Sequence, residues 1–194
     1  HAVGMRAGER CVVLLALTAG QVPSRYDPLT GLLDFEALVD RVGRSLERAR
    51  LEDGSPFALL LVGVDRFTLI TVRYGWALGN EALRMVADRL AVNLRPGDVV
   101  SRVGGDRFCA ILDRLRDPAD GALVAERVKE FLGRPFEVGP DEVSLSFSIG
   151  VVTSEEGYAS AEDMIEDAKT AMLEAQPVVG TSVVARIRAT PEVS

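Results

Sequence analysis

Arg102-Val103-Gly104-Gly105-Asp106-Arg107-Phe108 sets two adjacent glycines and an aspartate between the apolar runs Val99-Val100 and Cys109-Ala110-Ile111-Leu112. Such a stretch predicts a β-hairpin, because Gly104 and Gly105 accept the positive φ that a tight connection demands and leave the backbone open to a ligand. A turn of this kind serves geometry alone as readily as phosphate binding, so its meaning depends on its surroundings. Upstream stands Asp27-Pro28-Leu29-Thr30-Gly31-Leu32, and then Phe35, Leu38, Val39, Val42 and Leu46 recur at helical spacing, predicting a helix over 34–49. Phe57 to Val64 is too uniformly apolar to alternate and reads as a central strand buried on both faces. Downstream, 67–74 reads as a short helical or irregular piece, and 80–94 as a helix with Leu83, Val86, Ala87 and Leu90 inward. A helix over 119–132 follows, then one strand over 142–152 containing Ser146-Phe147-Ser148-Ile149-Gly150-Val151. A helix over 160–175 opens on Ser160 and the acidic first turn Glu162-Asp163, and a last strand covers 182–187. Helices alternating with strands and a hairpin give an α/β fold, a ferredoxin-like sheet with helices on its faces.

Composition narrows the function classes. A chain of 194 residues, 47% hydrophobic, buries one sizeable core and has room for one domain plus an appendage. With 22 basic against 29 acidic side chains the formal charge is −7, and without a dense basic run neither nucleic acid nor an anionic membrane surface is an expected partner. No apolar run reaches the ~20 residues of a membrane span. Residues 9–17 read as a strand and 18–26 as a connector, which makes 1–26 an N-terminal strand and linker similar to the exit from an upstream sensor domain. The first residue is His1, so a piece of a longer polypeptide carrying further domains is expected. Cys11 and Cys109 match no metal or disulfide spacing and are expected to pack as small hydrophobes, in keeping with a cytoplasmic location.

Taken in order, the L-T-G-L element, the Gly-Gly-Asp hairpin and the late S-I-G strand resemble the GGDEF domain family, whose members are diguanylate cyclases or their inactive descendants. The resemblance implies a nucleotide-cyclase type sheet flanked by helices, with the signature on the hairpin, over residues 27–190. It also implies a reaction in which two GTP molecules on two protomers are joined, each 3′-hydroxyl attacking the other's α-phosphate. That chemistry uses Mg²⁺ ions held by carboxylates, basic side chains on the outer phosphates and polar side chains on guanine.

Position by position, the family's pattern fails here. The D-x-D-x-F-K segment reads Gly63-Val64-Asp65-Arg66-Phe67-Thr68, so the metal-binding first aspartate is Gly63 and the phosphate-contacting lysine is Thr68. Asp65 remains, as a helix-start or hairpin-supporting residue. At the tip Gly104, Gly105 and Asp106 are kept, but Arg107 replaces the signature glutamate, and a guanidinium beside a divalent cation costs Coulomb energy. The guanine-reading Asn and Asp of the family become Thr71 and Asn80, and Asn80 cannot accept from both guanine N–H groups as a carboxylate does. Trp76 replaces a family histidine and either fills the base pocket, packs in the core or stands exposed. In the late A-K-x-x-G-R segment, here Ala175 to Thr181, both phosphate-binding cations are gone. No catalytic residue, no metal ligand and no Mg²⁺ are therefore expected.

A second site is kept. Cyclases of this family often carry an inhibitory product site, R-x-x-D, five residues before the Gly-Gly pair. This chain has Arg95-Pro96-Gly97-Asp98 at that spacing, with Arg127 in the A-E-R stretch of the next helix. Arg, Asp and Arg suit the phosphates and guanine edges of cyclic di-GMP. Against this, Arg95 to Asp98 also suit a plain helix stop and strand start. Arg102 reads as structural. Three functions compete: a receptor for cyclic di-GMP in bacterial signalling, a nucleotide-free scaffold or homodimerising module relaying signals to an attached domain such as an EAL phosphodiesterase, and GTP binding without turnover.

Overall fold

The strand Ala58–Val64 (β1) is buried along its whole length and pairs antiparallel on both sides, which explains why its sequence shows no alternation. The computed structural model describes residues 25–51, 54–138, 141–176 and 180–186, and the predicted strand over 9–17 lies outside them. Around β1 the five-stranded sheet runs β2-β3-β1-β6-β7, where β2 is Val99–Gly104, β3 Arg107–Leu112, β6 Phe147–Thr153 and β7 Ser182–Arg186. Among the described strands, β6 and β7 alone pair in parallel. Helices α1 (Phe35–Ala49) and α4 (Ala161–Ala175) cover one face, burying Leu38, Val42, Leu46, Met164, Ala168 and Met172 against Leu59 and Leu61. Helices α2 (Phe67–Asn93) and α3 (Asp120–Leu132) cover the other, burying Leu83, Val86, Leu90, Val128 and Leu132 against Leu60 and Val62. The α/β fold with helices on both faces of a central sheet is thus as expected.

Two expectations are corrected. Residues 67–74 and 80–94 are two helical limbs, as expected, parted by the non-helical Gly75 (φ 84°, ψ 163°) and together labelled α2, but the second limb begins at Trp76, four residues earlier than its sequence suggests. Gly79 belongs inside that limb because of packing: a Cβ there would lie 2.7 Å from Thr71 Cγ2 and 3.2 Å from the Phe67 ring. The single strand over 142–152 is two. Asp141–Val143 (β5) pairs with Phe136–Val138 (β4) in a separate small hairpin, and the chain crosses Ser144 to Ser146 before joining the main sheet as β6.

Helix starts follow their caps. Asp34 accepts from the Ala37 N–H at 2.8 Å and Ser160 from the Asp163 N–H at 3.1 Å, each satisfying a donor that the first turn leaves open.

Candidate functional site at the ends of the β2–β3 hairpin

The hairpin tip forms as its glycines require. Gly104 (φ 127°) and Gly105 (φ 58°) make the connection, and the ladder shifts register between Arg102 and Gly104. The Asp106 carbonyl accepts from the Val64 N–H at 3.1 Å, which seats the tip beside the end of β1. Arg102 braces it. Its Nε and Nη2 donate to the Gly105 carbonyl at 3.0 and 2.6 Å, while Nη1 reaches both carboxylate oxygens of Asp27 at 3.1 Å. Asp27 in turn closes the L-T-G-L element, accepting from the Thr30 N–H (2.9 Å) and hydroxyl (2.7 Å). Burial alone would raise the Asp27 carboxyl, but the hydrogen bonds from Thr30 and Arg102 and the guanidinium charge outweigh it and hold the group below the ordinary carboxylate range. The two sequence elements far apart in the chain are thus one structural unit, with Arg102 structural as expected.

Gly63 sits in β1 directly opposite Arg107 on β3 and Ser148 on β6. A Cβ at Gly63 would lie 3.0 Å from Met172 Sδ, so a fully buried methionine from α4 fills the space beside this backbone. Asp65 accepts from the Ser148 hydroxyl at 2.7 Å, and its N–H donates to the Ser146 carbonyl at 2.9 Å, tying the exit of β1 to the entry of β6. Thr71 is buried, and its hydroxyl donates back to the Thr68 carbonyl at 2.9 Å. Thr68 is exposed and Asn80 half-buried. Trp76 stands out from the surface, 72% exposed, which removes the core-packing alternative. Arg107 is exposed at the strand start. Sequence reasoning missed Met172, because nothing in a helical stripe says which strand residue it will meet across the face.

At the other end of the β2–β3 ladder, roughly 20 Å away for a six-residue strand, lies the Arg95–Asp98 turn. The Asp98 side chain is 2% exposed and accepts from the Arg95 N–H and the Asp113 N–H at 3.3 and 3.2 Å. Arg95 turns its Nε to Asp98 (3.3 Å) and its Nη2 to the carbonyls of Asp113 (2.5 Å) and Arg114 (3.2 Å), while its other guanidinium nitrogen has no hydrogen bond among the described residues. Arg127 is exposed on α3 and, among the described residues, makes no ion pair with either. The structure therefore brings Arg95 and Asp98 into direct contact, while Arg127 stands exposed on α3 with no ion pair to Asp98.

Comparison with known proteins settles the family. The profile described as "Diguanylate cyclase, GGDEF domain" matches residues 24–178. The chain belongs to the GGDEF family. A curated relative, the bifunctional diguanylate cyclase/cyclic di-GMP phosphodiesterase MucR of Pseudomonas aeruginosa, is 32% identical over 151 residues, 78% of this chain and 22% of its own length. The response regulator PleD of Caulobacter vibrioides is 36% identical over 135 residues, 68% of this chain and 29% of its own. The GGDEF domain of TpbB from Pseudomonas aeruginosa superposes with a TM-score of 0.78 at 30% identity, covering 82% of this chain and 93% of that one. The chain thus spans under a third of the length of these two curated relatives.

The residues at this GGDEF domain's tip do not fit the metal ions of the family's chemistry. Gly63 has no carboxylate to supply, Met172 Sδ packs closely beside it, and Arg107 puts a cation opposite that position. Asp106 keeps a carboxylate nearby, and Asp65 gives one oxygen to Ser148.

Proposed function

We propose that this GGDEF domain does not make cyclic di-GMP but binds it through Arg95, Asp98 and Arg127, as a receptor in bacterial second-messenger signalling within the cytoplasm. One observation carries the loss of synthesis. Where the family places its first metal-binding aspartate stands Gly63, which brings no carboxylate, with Met172 Sδ 3.0 Å from where a Cβ would be and Arg107 as its partner across the ladder, an arrangement that disfavours a divalent ion. The departures at Thr68, Thr71 and Asn80 point the same way, and no Mg²⁺ takes part. Binding is supported by Arg95, whose side chain is half-exposed although Nε and Nη2 are anchored, and by Arg127, which is exposed on α3 and makes no ion pair among the described residues. Relay to attached domains or to a second copy then reports the bound state.

A second reading, a nucleotide-free scaffold, draws on the buried state of Asp98: its carboxylate already accepts two backbone N–H groups, so the turn is satisfied with no ligand at all. Calorimetric titration with cyclic di-GMP separates them. Saturable binding at micromolar levels or tighter, lost in Arg95→Ala and weakened in Arg127→Ala, supports the receptor. Absence of heat from a folded sample leaves the scaffold, and turnover of GTP with Mg²⁺ would overturn both.

A further inference from the structure

We infer that Asp113 is a latch that couples the Arg95–Asp98 turn to helix α1. The inference takes that turn as the responsive site proposed above. Asp113 follows directly on β3 and divides its hydrogen bonds between two elements. With its main chain it holds the turn: its N–H donates to Asp98 Oδ1 at 3.2 Å and its carbonyl accepts from Arg95 Nη2 at 2.5 Å. With its carboxylate, 10% exposed, it holds α1, accepting from Arg48 Nη2 and, at 3.4 Å, from Arg41 Nη2.

Charge makes the arrangement responsive. Three guanidiniums, from Arg41, Arg48 and Arg95, crowd around the carboxylates of Asp98 and Asp113. The Nε atoms of Arg41 and Arg48 are buried without any partner, so the Asp113 carboxylate is the anion that neutralises both among the described residues. Beside it Arg114 takes φ 51°, a left-handed conformation that costs a non-glycine residue energy, and its carbonyl also accepts from Arg95. Drawing Arg95 or Asp98 toward a ligand removes the bonds that fix the Asp113 and Arg114 backbone. The carboxylate then shifts from Arg41 and Arg48, and α1 loses its tie to the end of β3. Arg48 lies in the last turn of α1 and Arg41 two turns before it, so the displacement arises along the C-terminal half of that helix.

Hydrogen–deuterium exchange on the whole ligand-free chain tests this. Arg95→Ala should accelerate exchange at residues 41–49 by roughly fivefold, within the range that coupled neighbours show, and the conservative pair Arg41→Gln/Arg48→Gln should do the same at 95–98 and 113–115. In an Asp113→Asn background Arg95→Ala should add nothing at α1. Should the first two variants each loosen only their own element, the latch is refuted, and these variants keep that outcome readable even where Asp113→Asn fails to fold. Titration with cyclic di-GMP is scored separately: no heat with coupling intact rejects the receptor and keeps the latch, whereas heat without coupling rejects the latch alone.

Discussion

At Gly63 the carboxylate of the family's pattern is missing, and Met172 Sδ lies 3.0 Å from where a new Cβ would stand. Reinstating the acidic residues in Gly63→Asp/Arg107→Glu should give no GTP turnover, because the new side chain must share space with Met172. It should also lower stability by about 2 kcal/mol or more, the usual result of overfilling a packed core. Chemical denaturation with a turnover assay on the same sample checks both, and measurable cyclic di-GMP would refute the packing argument. Asp27 offers a test of a different kind. Its carboxyl is held below the ordinary range when folded, so the folded state favours the ionised form. Its contribution is present above the unfolded pKa of about 4 and is lost as pH falls through the lower folded value. Asp27→Asn should therefore be less stable than the parent at pH 7, with the gap closing below pH ~4. A gap that stays constant into acid would show that the Asp27–Arg102 pair has no part in it. Arg102, Asp27 and the Gly-Gly tip were readable as residues of consequence, but their direct contact is set by the way the chain returns and could not be read from spacing.

Among the elements, the helices with a clear apolar stripe and the one uninterrupted apolar strand matched expectation: α1, α3, α4 and β1 lie within a residue or two of the predicted spans. The misses have a common cause. Strands of three residues such as β4 and β5 are too short to show a period, so β5 merged with the apolar run of β6. Gly79 fell outside the helix predicted from residue 80, although its bare Cα is what lets Thr71 and Phe67 approach inside it. The S-I-G glycine has the same origin. A Cβ on Gly150 would stand 2.3 Å from both the Ala168 carbonyl oxygen and the Met172 nitrogen, so α4 lies on β6 with its backbone almost touching the strand. Neither partner is a flexible side-chain end, and relief requires moving the helix. Gly150→Ala should accordingly cost about 3 kcal/mol or more or prevent folding. Urea unfolding with far-ultraviolet circular dichroism decides it, and a loss under 1 kcal/mol would mean that α4 slides freely over the sheet.

For the molecule as a whole, the two ends of the β2–β3 hairpin have separate fates. The tip is braced by Arg102 and lacks the family's first carboxylate at Gly63, while the turn at the far end keeps an Arg and an Asp whose present bonds are all internal. If the turn takes cyclic di-GMP, binding to the folded state alone must raise the stability of the entire domain, since its clusters on both faces share the central strand β1. At a ligand concentration a hundred times the dissociation constant the gain is about 2.7 kcal/mol. In a domain of this size that corresponds to a rise of roughly 5–10 °C in Tm. Arg95→Ala should show no such rise, and GTP with Mg²⁺ should produce none in either protein, since the tip lacks the groups that would hold it. Differential scanning calorimetry reads all of these together. A rise with GTP and Mg²⁺ that Arg95→Ala does not remove would place nucleotide at the tip, overturning the assignment of binding to the turn. A rise with cyclic di-GMP that survives Arg95→Ala would move the receptor site away from Arg95 and Asp98 while leaving the loss of synthesis intact.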